Sequence, residues 1–205
     1  RRFKHPRIWI GMLLSVVVGA LWAVLPAYLP NNAAVLAGGG RPIDGGRTLG
    51  DRRLLGDGKT WRGTAAGTIA GVVVAFGLTA GTAAGIALAV SLDALAGRAG
   101  AAVGVTLPGF PLVAALGLAL GAMVGDVAAS FLKRRSGRER GAAVPGLDQL
   151  DFVVGALVFA AAGAPEWFAA TFTPARLAVV VVVTPALHVG TNVAAYALGL
   201  KDEPW

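Results

Sequence analysis

The sequence predicts an all-α integral membrane protein of about five transmembrane helices with two polar cytoplasmic loops. Three observations carry that expectation. Of the 205 residues, 56% are hydrophobic and only 14% charged, whereas soluble domains are about a quarter charged. The apolar residues fall in runs of helical length, and a chain crossing lipid must satisfy its backbone within each run. The 30 glycines suit helices that approach one another closely inside a bilayer.

Residues 8–27 form the first run, about 20 residues, enough for a hydrocarbon core of ~30 Å. It reads as a first transmembrane helix rather than a signal peptide, because no small-residue cleavage site follows it. Pro26 and Pro30 are expected to end it, since neither supplies a backbone N–H. Residues 31–63 then form a first polar loop with a Gly38-Gly39-Gly40 run. Further spans are expected at 64–92, 112–132, 150–164 and 177–200, with a second polar loop at 133–149 and a loop at 163–174. The whole chain, 1–205, reads as a single transmembrane catalytic domain.

The two polar loops and Lys201 together carry twelve Lys/Arg, against six on the other side. The positive-inside rule therefore places both loops in the cytoplasm, although the basic N-terminus pulls the other way. That the loops share one side does not depend on the orientation. The net charge of +7 sits in these short segments, which fits membrane orientation and phosphate binding better than nucleic acid. The absence of cysteine excludes disulfides, thiol catalysis and Cys metal sites.

Chemistry concentrates in residues 125–151. Asp126, Ser130, Lys133 and Arg134 fall at i, i+4, i+7 and i+8, one helical face. The plain alternative is a positive-inside stop signal with Asp126 neutralised by its basic neighbours. An intramembrane acid is nonetheless a functional candidate by default. Asp148 and Asp151 follow a Pro145-Gly146 break, where an isolated pair would serve as a helix cap. Three carboxylates at the same end of adjacent helices, without Cys and with only two His, favour a hard-cation oxygen site such as one for Mg²⁺.

The first loop contains Gly56-Asp57-Gly58-Lys59-Thr60, which fails as a phosphate-binding P-loop because Arg53 stands where the first glycine is required. What remains is a Gly-rich segment carrying Arg52, Arg53, Lys59 and Arg62, interleaved with Asp44, Asp51 and Asp57. Glycines let backbone N–H groups approach phosphate, and the bases add charge-assisted bonds. His188, Thr191 and Asn192 share one face of the last span and read as contacts between helices.

These motifs, in this order between these helices, closely resemble the archaeal CDP-archaeol synthases: PAYLPNNAAVLAGGGRPIDGG, GDGKTWRG, GDVAASFLKRR and PGLDQLDF. The second half is also similar to the signature of the wider phosphatidate cytidylyltransferases, S-x-x-K-R, a proline loop and D-x-x-D. It departs from that signature at Arg138-Glu139-Arg140 and at the single Gly146, so contacts there do not carry over. The resemblance implies Mg²⁺-dependent transfer of CMP from CTP to a prenylated glycerol ether phosphate, releasing pyrophosphate. On it, Asp126, Asp148 and Asp151 are expected as metal ligands and, with Lys133, as the catalytic set. Lys59, Arg62, Arg53 and Arg134 are expected to hold phosphates. Asn31, Asp44, Asp57, Thr60, Trp61 and Ser130 are expected to order the loop or meet substrate. The expected location is the cell membrane, with the active site facing the cytoplasm; no oligomeric state is specified. The competing readings are a CTP-dependent polyprenol kinase and a small ion or phosphate transporter.

Overall fold

The computed structural model describes residues 6–83, 107–138 and 144–199. The far end of the expected second span, the Arg98 loop, Glu139-Arg140 and the Lys201 tail lie outside those residues. Within them the chain forms seven helices: α1 (Pro6–Tyr28), α2 (Pro30–Ala37), α3 (Trp61–Ala83), α4 (Leu112–Arg135), α5 (Leu147–Gly163), α6 (Pro165–Thr171) and α7 (Pro174–Ala197). Two short strands, β1 (Thr48–Leu49) and β2 (Arg52–Arg53), pair antiparallel in the α2–α3 connection.

Four of these are long and apolar enough to cross a membrane: α1 continuing into α2, α3, α4 and α7. The fifth apolar helix, α5, has only 17 residues. Several expected boundaries move. Pro26 does not end α1; it forfeits one backbone bond, and the helix runs on to Tyr28 with the proline ring fully buried. The break falls at Leu29, and Pro30 opens α2 as its first residue, where a fixed φ and a missing N–H are no handicap. Residues 31–37, expected as loop, are therefore helical. At the start of α3, the Thr60 hydroxyl accepts the Gly63 N–H at 3.0 Å, so the helix begins ahead of residue 64. Helix α4 extends to Arg135, bringing Lys133, Arg134 and Arg135 into a last turn whose dipole favours cations. The expected loop after α5 contains the short helix α6.

Glycine sets how near these helices come. Helix α4 presents Gly117, Gly121 and Gly125 at intervals of four, one face. A Cβ on Gly121 would stand 2.5 Å from the Gly155 carbonyl of α5, and one on Gly125 would overlap the Asp151 carbonyl. Helix α3 uses Gly67 and Gly71 in the same way: a Cβ on either would stand 2.6 Å from a side chain of α4 (Met123 Sδ and Ala119 Cβ) and from the Pro30 or Pro26 carbonyl. Such spacing is how membrane helices gain contact where lipid supplies no hydrophobic drive. The small buried core of Val24, Leu118, Val153 and Val180 fills the space that remains. A Tyr28–Thr184 hydroxyl pair at 2.8 Å ties α1 to α7.

Candidate active site

The glycine contact between α4 and α5 has a direct chemical result. It lays the first turns of α5, with Asp148 and Asp151, against the stretch of α4 that carries Asp126 and Lys133. All four line one cavity of about 510 Å³, whose other walls include Lys59, Thr60, Asn31 and the α7 residues Thr184 and His188. Lys59 Nζ is ion-paired with Asp126, and Lys133 Nζ with Asp148. All four side chains are between 20% and 27% exposed, so the charges are partly withdrawn from water yet reachable from the cavity. Asp151 accepts the Phe152 N–H at 2.6 Å and lies within electrostatic reach of Asp126 and Asp148.

Among the described residues no three His, Asp or Glu side chains converge as a ready metal cage. The donor chemistry nevertheless fits a hard divalent cation: three carboxylates on one cavity wall, two of them already drawing an ammonium group. Lys59 and Lys133 supply the positive charge beside Asp126 and Asp148.

The α2–α3 connection delivers Lys59, and its construction explains several predicted residues. Three consecutive glycines with positive φ, Gly38, Gly39 and Gly40, turn the chain out of α2 where a Cβ would be strained. The base of the loop is closed by Ile43 N–H to the Lys59 carbonyl (2.8 Å) and Trp61 N–H to the Arg41 carbonyl (3.1 Å). Asp44 is its hub. Its carboxylate accepts Arg53 twice (2.8 and 3.3 Å) and the N–H groups of Gly46, Leu55 and Gly56. Arg53 above all, with the three N–H donors, holds this carboxyl well below the usual carboxylate range, so it stays ionised at any working pH. Asp44 is saturated by the loop itself and does not reach the cavity.

The remaining predicted residues divide by position. Asn31, Lys59, Thr60, Asp126, Lys133, Asp148 and Asp151 meet around the cavity. Ser130 returns its hydroxyl proton to the Asp126 carbonyl at 3.0 Å, within the helix. Arg53 also pairs with the exposed Asp57 at 2.8 Å. Arg134 donates to the Leu55 and Arg138 carbonyls and lines a separate cleft with Asp57. The expectation that Arg134 shares the Asp126 face is corrected by helix geometry. At about 100° per residue, Lys133 returns to within about 20° of Asp126, while Arg134 is about 80° away. Arg62 packs its stem on Gly40, and Trp61 lies 60% exposed on the outer side of the loop.

Two groups of residues escaped the sequence reading. Arg135 donates to the carbonyls of Leu49 (2.8 Å), Arg52 (3.3 Å) and Arg53 (2.9 Å), pinning the β1–β2 hairpin to the end of α4. Nothing in its sequence neighbourhood distinguished it from Arg134. His188, Thr191 and Asn192, expected between helices, also line the cavity. Their signal was polar residues at i, i+3 and i+4 in an otherwise apolar helix.

The comparison with known proteins agrees with the order of these elements. A family model for CDP-archaeol synthase (CarS-like) matches residues 13–205. The chain is 63% identical over 194 residues to the CDP-archaeol synthase of Halorubrum lacusprofundi, spanning 95% of this chain and 100% of that protein. It is 46% identical over 189 residues to that of Methanosarcina mazei, spanning 89% and 100%. A solved structure described as an intramembrane enzyme for archaeal membrane lipids biosynthesis superposes with a TM-score of 0.64 at 37% identity, covering 86% of this chain and 94% of that one. Because these matches run through the helices, the loop and the cavity alike, this membrane protein belongs to the CDP-archaeol synthase family of archaeal lipid-biosynthetic enzymes.

Proposed function

We propose that the protein transfers CMP from CTP to 2,3-bis-O-geranylgeranylglycerol 1-phosphate, with Mg²⁺, on the cytoplasmic face of the membrane. An oxygen of the lipid phosphate attacks the α-phosphorus of CTP. The bond from that phosphorus to the β-phosphate bridging oxygen breaks, and pyrophosphate leaves with the electron pair. The nucleophile is already an anion, so no side chain has to remove a proton from it. The single observation that carries this reading is the pair of Lys–Asp contacts, Lys59–Asp126 and Lys133–Asp148, facing one cavity from three different segments.

Triphosphate entering the cavity gives Lys59 and Lys133 stronger anionic partners than the carboxylates they hold. The lysines then hold phosphate oxygens in line and take up charge that grows toward the leaving group. Asp126 and Asp148, released from them, would together with Asp151 hold Mg²⁺, which supplies Lewis-acid stabilisation of the triphosphate when bound. Thr60, fixed as the α3 cap, anchors the chain next to Lys59 on the cavity lining.

The test is purified protein in detergent with CTP, MgCl₂ and the geranylgeranylated glycerol phosphate, assayed for pyrophosphate and for a CDP-lipid. Stoichiometric release of both is expected. CDP without pyrophosphate would mark a kinase, and no turnover with any lipid phosphate would sink the assignment.

A further inference from the structure

A second cleft, of about 620 Å³, opens on the outer side of the α2–α3 connection and shares no lining residue with the active-site cavity. Arg41, Pro42, Arg47, Leu54, Trp61 and Phe131 are among its walls. Arg41 and Arg47 are exposed, and neither guanidinium has an acceptor among the described residues. Asp44 also borders the cleft, but its side chain is 1% exposed and committed to Arg53, so it does not neutralise them. The cleft thus offers two unspent positive charges, suited to phosphate oxygens.

What lies beneath the charges is apolar. Trp61 begins α3 and lines the cleft, and Ile69 and Val73, one turn apart, are exposed further along the same helix, about 80° and 120° round from it. All three are at least 60% exposed. Phe131, near the end of α4, lines the same cleft and is exposed. Since α3 and α4 are helices long enough to span, these faces meet lipid chains, and Trp61 stands where a helix leaves the hydrocarbon. Positive charge directly above a chain-contacting surface, with an aromatic ring at the junction, matches the layout of an anionic phospholipid.

We propose that this cleft binds the headgroup of an anionic phospholipid from the surrounding bilayer. The phosphate sits between Arg41 and Arg47, and the chains descend past Trp61 and Phe131. The bound lipid clamps the outer side of the loop whose inner side presents Lys59.

Native mass spectrometry and thermal unfolding of the full chain in detergent test this, with phosphatidylglycerol and phosphatidylcholine of matched chains as probes. The wild-type protein is expected to retain phosphatidylglycerol selectively and to unfold several degrees higher with it. Arg41→Gln with Arg47→Gln should weaken that binding about thirtyfold, while Arg41→Lys with Arg47→Lys keeps most of it. Arg47→Gln alone should weaken it about fivefold, which serves should the double variant not fold. Equal retention of the two lipids by the wild type, or an unchanged preference in the Gln variants, would overturn the proposal. So would equal stabilisation by millimolar inorganic phosphate, which would make this a free-anion site only.

Discussion

The α4–α5 contact and the α2–α3 connection are both built on glycine, and they use it for opposite reasons. Between the helices, Gly121, Gly125 and Gly155 keep ordinary helical angles and matter because a Cβ has no room. In the connection, Gly39, Gly45 and Gly46 have open space around the missing Cβ and matter because φ is positive. One region trades side chain for closeness, the other for backbone freedom. The first fixes Asp126, Lys133, Asp148 and Asp151 on a rigid scaffold. The second delivers Lys59 on a loop that two polar knots, around Asp44 and Arg135, must hold in place.

Substitutions can break that contrast, beginning with the chemistry the rigid half supplies. Asp126→Asn and Asp148→Asn should each lower pyrophosphate release about 10²-fold or more, with the protein still folded by circular dichroism; near-normal rates would remove these residues from the site. Gly121→Val should come next, destabilising the fold by about 3 kcal/mol through overpacking, read from thermal unfolding in detergent. A small shift there would mean that the helices are not held by backbone contact.

The loop half should respond in activity before stability. Arg135→Ala, which touches no cavity residue, should cost about tenfold in kcat/KM for CTP by releasing the hairpin from three carbonyls. Its unfolding temperature should move little, and an equal loss in stability would make Arg135 a fold residue instead. The smallest effect is expected for Gly46→Ala, where φ is +83° with nothing near the added methyl: about 1 kcal/mol. An effect as large as that of Gly121→Val would erase the distinction between the two glycine roles.

The same contrast decides what could be read without coordinates. Apolar runs announce helices that lipid forces to satisfy themselves, so α1, α4, α5, α7 and the start of α3 were legible to within a few residues, as were the carboxylates at the ends of α4 and α5. Helix α2 was not, because Pro30 reads as a stop when it follows a helix and as a start when it begins one. Nor was the division of labour inside the connection. Asp44 and Lys59 are both charged residues among glycines. Only the closed ring of partners around Asp44, drawn from residues 46–56, shows that it is spent on the loop. Arg134 and Arg135 differ by one position, yet that step turns one into a neighbouring cleft and the other onto the hairpin.

The length of α5 has a consequence for the bilayer itself. At 17 residues it rises about 25 Å, short of a hydrocarbon core of ~30 Å. Either the leaflets thin around it or its first turn, with Asp148 and Asp151, lies below the level of the surrounding headgroups. On the proposed reaction, a lipid phosphate would then have little vertical distance to climb to reach those carboxylates.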